Sequence, residues 1–216
     1  ALSGERRAPD AGTVRIGDTP AGLRGPAARR RLGLAFIPEE RLGRGAVAEF
    51  PLTENALLTA YQSGFVRFGM VRHAAVRQYA RDIIARFRVV AAGTDAAGSS
   101  LSGGNMQKFI VGREVGTKPR VLLAAHPTWG VDIGAALAIR QALMDLAASG
   151  AGVLVVSEDL AELFEISDHI AVLSGGRLSP PRRTRETTVE EVGLLMGGRM
   201  AGSETARAAK GVVDAA

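Results

Sequence analysis

Ser102-Gly103-Gly104-Asn105 stands directly before Met106 to Val115, a run that reads as helix. Serine is a good helix N-cap, and the two glycines leave the backbone N–H groups uncovered. Uncovered amides at the positive end of a helix dipole attract an anion, most naturally a phosphate. A Ser-Gly-Gly triplet by itself is also an ordinary helix cap, so the three residues alone do not choose between the two. Other chemistry-bearing residues are sparse. His126 follows the apolar run Val121-Leu122-Leu123-Ala124-Ala125, and an imidazole there is able to take a proton near neutral pH. A structural or polar lining role is the simpler reading. His73, His126 and His169 lack metal-ligand spacing, and no Ser/His/Asp arrangement carries a nucleophile-elbow pattern. No metal site is expected. Neither Gly-Lys-Ser nor Gly-Lys-Thr, the end of a phosphate loop, occurs anywhere. Gly43-Arg44-Gly45-Ala46-Val47-Ala48 superficially fits a dinucleotide fingerprint, but it follows a polar loop rather than a strand.

The elements that must position these residues can be read from periodicity. Thr13–Ile16 reads as a short strand, and Leu34–Ile37 as a buried strand stopped by Pro38. A helix is expected from Pro51 through Ala60 with Thr53 as its cap, and residues 71–88 have helical spacing with arginines on the outer face. Residues 91–100 read as the loop that delivers Ser102. Val121–Ala125 and Val153–Val156 read as buried strands, Ile133–Ala148 and Leu160–Ile166 as helices, and Ile170–Leu173 as a further strand. Strand and helix alternating in this rhythm predict an α/β fold with a parallel sheet, whose carboxyl edge is the place for chemistry. Trp129, the sole tryptophan, suits either a partner interface or the core.

At 216 residues the chain is long enough for one core, or one core and a small subdomain. Its 46% hydrophobic and 23% charged residues are those of a globular protein, and no run approaches a membrane-spanning length. The first residues lack the apolar stretch of a signal peptide, and the absence of Cys excludes disulfides and fits the cytosol. Net charge is +5, and 24 of the 27 cations are Arg, spread along the chain among few aromatics. A solvated basic surface is expected rather than nucleic-acid binding.

The eight residues Leu101-Ser102-Gly103-Gly104-Asn105-Met106-Gln107-Lys108 closely resemble the signature sequence of ABC-type ATPases, in the form seen in importers of simple sugars and nucleosides. The resemblance extends over roughly residues 1–198. Phe36 to Arg41 is similar to the Q-loop region, with Glu39 where many members have Gln. Val121 to His126 resembles the Walker B strand, Thr128 to Asp132 the D-loop, and Ser157-Glu158 the switch region. Pro127-Thr128 through Asp132, together with Ser157-Glu158-Asp159-Leu160, resembles the second, C-terminal half of fused two-cassette importers. This implies an α/β, P-loop NTPase-like ABC ATPase domain, a parallel sheet core plus helical subdomain, N-terminally truncated because Ala1 to Gly4 resembles a stretch just past the family's phosphate loop. It divides the chain into 1–49, the end of an antiparallel part with the Q-loop; 50–115, a helical subdomain with the signature; 116–200, the α/β core; and 201–216, a disordered tail.

The departures from the pattern matter. Where the family holds Mg²⁺ through an aspartate stands Ala125, where it has a catalytic glutamate stands His126, and Glu158 replaces the switch histidine. No catalytic residue is therefore assigned with assurance. Leu101, Ser102, Gly103, Gly104, Asn105 and Gln107 are expected to contact, in trans, the nucleotide of a partner cassette; Glu39 and Asp132 carry the Q- and D-loop positions. The implied cofactor is ATP with Mg²⁺ in the full transporter. The implied partners are a second cassette fused upstream, transmembrane permease subunits and, indirectly, a solute-binding protein, at the cytoplasmic face of the inner membrane. The isolated chain is expected to be inactive. Two alternatives are a cassette remnant acting as a non-enzymatic interaction module and a fragment of a DNA-repair-type ABC ATPase. Residues 50–100 are short for the coiled coil of the latter.

Overall fold

A computed structural model describes residues 1–198, which form two compact units, Ala1–Glu158 and a second beginning at Asp159. The expected tail at 201–216 lies outside the described residues.

The first unit opens with a small hairpin, β1 (Arg15–Ile16) and β2 (Thr19–Pro20), turning at Gly17 with φ +56. Helix α1 (Pro26–Arg31) starts on a proline, whose fixed φ suits the first helical position, and ends on arginines that suit the negative end of the dipole. Arg29 is fully buried there and donates to the carbonyls of Ala1, Leu2, Gly22 and Arg24, tying the first residues down. Strand β3 (Leu34–Ile37) comes next.

After it lie α2 (Leu52–Ala60), a hairpin of β4 (Val66–Arg67) and β5 (Met70–Val71), and α3 (His73–Arg86). The capping residue of α2 is Pro51, not Thr53. Thr53 lies in the first turn and both its N–H and hydroxyl donate to the carbonyl of Thr94 at 2.9 Å. Buried Asn55 accepts from Val47 N–H and donates to the carbonyls of Val47 and Phe50, each at 2.9 Å. Helix α4 (Gly103–Gly116) runs through the middle, buried continuously from Met106 to Val115. Glycine at 112 lets α3 approach, since a Cβ there would sit 2.6 Å from Phe87 and 2.8 Å from Ile83. Glu114 on this buried helix accepts from Arg30 at 2.8 Å, Arg113 at 2.9 Å and Thr59 at 2.7 Å, while Arg113 also donates to the carbonyls of Asn55 and Gly45.

Strands β6 (Val121–Ala125) and β7 (Gly152–Val156), joined by α5 (Ile133–Ala148), complete a parallel sheet in the order β3-β6-β7. The register sets Ala35, Leu122 and Val153 in one row and Ile37, Ala124 and Val155 in the next, on a face where Leu122 and Ile37 are fully buried. The other face carries Phe36, Leu123 and Leu154 in one row, and there Leu154 and Val156 remain 45% and 56% exposed.

In the second unit α6 (Leu160–Ile166) is capped by Asp159, and α7 (Val189–Met196) has a full capping box of Thr188 and Glu191. Their apolar faces enclose Ile170, Val172, Val192 and Leu195. The expected strand Ile170–Leu173 does not form as one piece, nor does it join the parallel sheet. It divides into β8 (His169–Ile170) and β9 (Leu173–Ser174). These pair antiparallel with β11 (Arg182–Arg183) and β10 (Arg177–Leu178). Gly175-Gly176, both at positive φ, make the tight turn between β9 and β10, and opposite the break between β8 and β9 stand Pro180 and Pro181, which have no N–H to pair.

Candidate functional site

Because β3, β6 and β7 are parallel, their carboxyl ends lie on one edge, and the loops after Ile37, Ala125 and Val156 emerge together. The head of α4 meets two of them.

Ser102 caps α4. Its Oγ accepts from the Asn105 backbone N–H at 3.4 Å and from Asn105 Nδ2 at 3.0 Å. With both lone pairs used, its hydroxyl hydrogen is left to donate. Asn105 Oδ1 in turn accepts from Val90 N–H at 2.9 Å, which anchors the cap to the loop after α3. Gly103 and Gly104 are the first two helical residues, so their N–H groups have no intrahelical acceptor, and no other acceptor reaches them among the described residues. Ser102 and Gly103 are exposed; Leu101, Gly104 and Asn105 are half-buried around them. A donor cluster of one hydroxyl and two amides thus faces outward.

Behind it lies Gln107, one turn into the helix and 1% exposed. Its Nε2 donates to the Pro127 carbonyl at 2.9 Å and its Oε1 accepts from Arg41 Nε at 3.2 Å. Gln107 therefore braces the loops from the inside. Glycine at 104 serves packing as well as access: a Cβ there would stand 3.3 Å from the Gly130 carbonyl. Arg41, on the loop after β3, was not given a role by sequence reasoning. Its guanidinium donates to the Trp129 carbonyl, lies 5.8 Å from the Trp129 ring centroid, and is held below the ordinary arginine pKa by burial. No local pattern marks it, since its partners are far along the chain.

Trp129 is 66% exposed, so the core alternative is excluded. Ile133 at 81% and Leu137 at 53%, one turn apart on the α5 that follows it, are exposed as well and continue an apolar stripe from the Trp129 loop, whose Gly130 and Val131 adjoin Gly104. Asp132 caps α5 by accepting from Ala135 N–H at 2.9 Å. Ala125 ends β6 opposite Val156; His126 comes next at φ +46, half-buried, its N–H bonded to the Val156 carbonyl at 2.8 Å. Glu39 and Glu158 are exposed on the outer two loops. Ala125 has no side-chain oxygen to offer a hydrated cation, and no group of three potential ligands gathers among the described residues.

A separate groove of about 490 Å³ opens between α2 and α3, lined by Phe50, Leu57, Leu58, Tyr61 and Val76 with Arg77 and Asp95 paired at its rim at 2.9 Å.

Known proteins share this geometry to different degrees. No protein-family profile matches the chain. Solved structures share its architecture. A nucleotide-free ATP-binding cassette from an ABC transporter superposes at TM-score 0.66 and 20% identity, covering 91% of this chain and 77% of that one. A dimeric ATP-binding cassette in a post-hydrolysis state with ADP and Pi superposes at 0.63 and 21%, covering 74% and 66%. The fold is that of an ABC ATPase cassette, with its parallel sheet and helices. Curated relatives narrow the likeness to import ATP-binding proteins. The chain is 35% identical over 199 residues to the guanosine import ATP-binding protein NupO of Bacillus subtilis, covering 92% of this chain and 39% of that protein. It is 34% identical over 184 residues to the ribose import ATP-binding protein RbsA 1 of Rhizobium meliloti, covering 85% and 36%. For the xylose import ATP-binding protein XylG of Geobacillus kaustophilus the values are 32% over 181 residues, covering 84% and 36%. The chain thus spans well under half the length of the curated relatives it matches.

Proposed function

We propose that this chain is a cassette of an ABC importer for simple sugars or nucleosides. In this reading it lends Ser102, Gly103 and Gly104 to a nucleotide held by a second cassette, while its own nucleotide site is degenerate. The carrying observation is the outward-facing pair of amides at Gly103 and Gly104, with the Ser102 hydroxyl beside them, on a cassette fold. Bare amides at a helix head stabilise the charge of a terminal phosphate without needing a charged side chain. The apolar stripe of Trp129, Ile133 and Leu137 beside them suits a surface that a second cassette covers. ATP and Mg²⁺ would be bound by that partner. On this chain Ala125 has no side-chain ligand atom, and Glu158 would repel a phosphate. The groove between α2 and α3 suits the end of an apolar helix from a permease subunit, which would keep the chain at the cytoplasmic face of the membrane. Coupling then runs from phosphate contact at Ser102 to Gly104, through the packed helices, to that groove.

The test uses Gly104→Asp, which places a carboxylate among the amides. In the assembled transporter, ATP turnover should fall by about tenfold or more, the scale of losing a transition-state donor. The pure chain should hydrolyse ATP no faster than its own Gly104→Asp variant. Turnover by the pure chain above that variant, or an assembled transporter indifferent to it, rejects the reading.

A further inference from the structure

We infer that Arg41 is a positioning residue: its planar fork locks the loop after β3, the head of α4 and the Trp129 loop into a single piece. The inference rests on the proposed partner role for its functional consequence, but its structural half stands without it.

Three observations carry it. First, one guanidinium engages both other segments at once, through Nε to Gln107 Oε1 at 3.2 Å and Nη2 to the Trp129 carbonyl. Gln107 closes the ring by donating to the Pro127 carbonyl at 2.9 Å. Second, two glycines make room for the fork. A Cβ at Gly103 would lie 2.7 Å from Arg41 Nη1, and one at Gly130 would lie 2.9 Å from Nη2. The first of these is one of the two residues with bare amides. Third, among the described residues no carboxylate lies within ion-pair distance of Arg41, so its hold is directional hydrogen bonding to neutral acceptors rather than charge pairing. Lysine, a point charge with no fork, cannot reproduce it.

The consequence is mechanical. The direction of the Gly103 and Gly104 amides is set by the first turn of α4. That turn is joined through Gln107 and Arg41 to the exposed Trp129 stripe. A displacement of the loop after β3 therefore moves the amides and the stripe together. Without the fork each would relax separately, and the amides would meet a partner's phosphate in a spread of orientations.

The experiment compares Arg41→Lys and Arg41→Ala with the parent chain. Trp129 is the sole tryptophan, so its fluorescence reports this loop alone. In the purified chain both variants should lower Trp129 anisotropy and raise its acrylamide quenching, with far-UV circular dichroism and melting temperature retained. In the assembled transporter both should lower kcat for ATP by about tenfold while KM for ATP stays within about twofold, because orientation and not nucleotide affinity is lost. Unchanged Trp129 mobility in Arg41→Ala overturns the clamp. Restoration of both readouts by lysine overturns the fork. A mobile Trp129 with unaltered kcat overturns the transmission. The fluorescence arm needs no nucleotide and the Gly104→Asp test needs no Arg41 variant, so failure of the clamp and failure of the partner role read out separately.

Discussion

Glu114 joins α1, α2 and α4 at one buried carboxylate, and Glu114→Ala measures what that junction contributes. The carboxylate is fully buried and accepts from three donors. Arg30 keeps 19% exposure and can find water after the change, but Arg113 at 2% cannot. Arg113 would retain its bonds to the Asn55 and Gly45 carbonyls and lose the one counter-charge it has among the described residues. Removing one partner of a buried pair costs about 3–5 kcal/mol, against a typical total of about 5–15 kcal/mol. For a domain of this size the melting temperature should fall by about 6–20 °C. Arg30→Ala should cost less, about 1.5–3 kcal/mol at most, since Glu114 then keeps Arg113 and Thr59. pH supplies the sign. Burial alone would raise the Glu114 pKa, but Arg113, Arg30 and the Thr59 hydroxyl outweigh it and hold it below the ordinary 4.5. A lowered folded-state value contributes stability at pH above the unfolded value, lost as pH drops through the folded one. The gap between parent and Glu114→Ala should therefore be full at neutral pH and narrow below 4.5. Urea denaturation followed by circular dichroism at several pH values decides it. A loss under about 1 kcal/mol at pH 7, or a gap that widens on acidification, would refute the reasoning.

Gly112→Ala should destabilise by about 1–3 kcal/mol although alanine is the better helix former, because its methyl would press on Phe87 and Ile83 at under 3 Å; a rise in the urea midpoint would contradict the packing. The outer edge of β7 makes the other prediction. Gly152 N–H and the Val156 carbonyl both point to β6, so by alternation the N–H and carbonyl of Val153 and Val155 face outward. An uncharged edge flanked by exposed Leu154 and Val156 invites association. Leu154→Lys with Val156→Lys should reduce concentration-dependent light scattering of the isolated chain and shift stability by no more than about 1 kcal/mol; equal scattering would show that the edge is already covered.

Much of the fold was legible because its signals are local. Val121–Ala125, Ile133–Ala148 and Leu160–Ile166 form where the apolar pattern places them, the last two behind caps at Asp132 and Asp159. The Ser102 cap was equally legible. Misreadings came where distant atoms override a local preference. Thr53 was a fair cap by type, but the Thr94 carbonyl claims it. Gln107 stands in a string of exposed type by sequence, and its burial under two loops came only with the fold. Trp129 carried no local signal for exposure at all.

Sequence by itself determined the donor cluster at the head of α4, since a capping serine, two glycines and the helix after them are contiguous and act through their own backbone. Tertiary structure alone decided what surrounds that cluster. Arg41 reaches Gln107 across 66 residues and Trp129 across 88, and Arg30 reaches Glu114 across 84. Such partners meet only because three parallel strands end on the same edge and one helix is buried among the rest; a charged side chain does not carry the address of its acceptor.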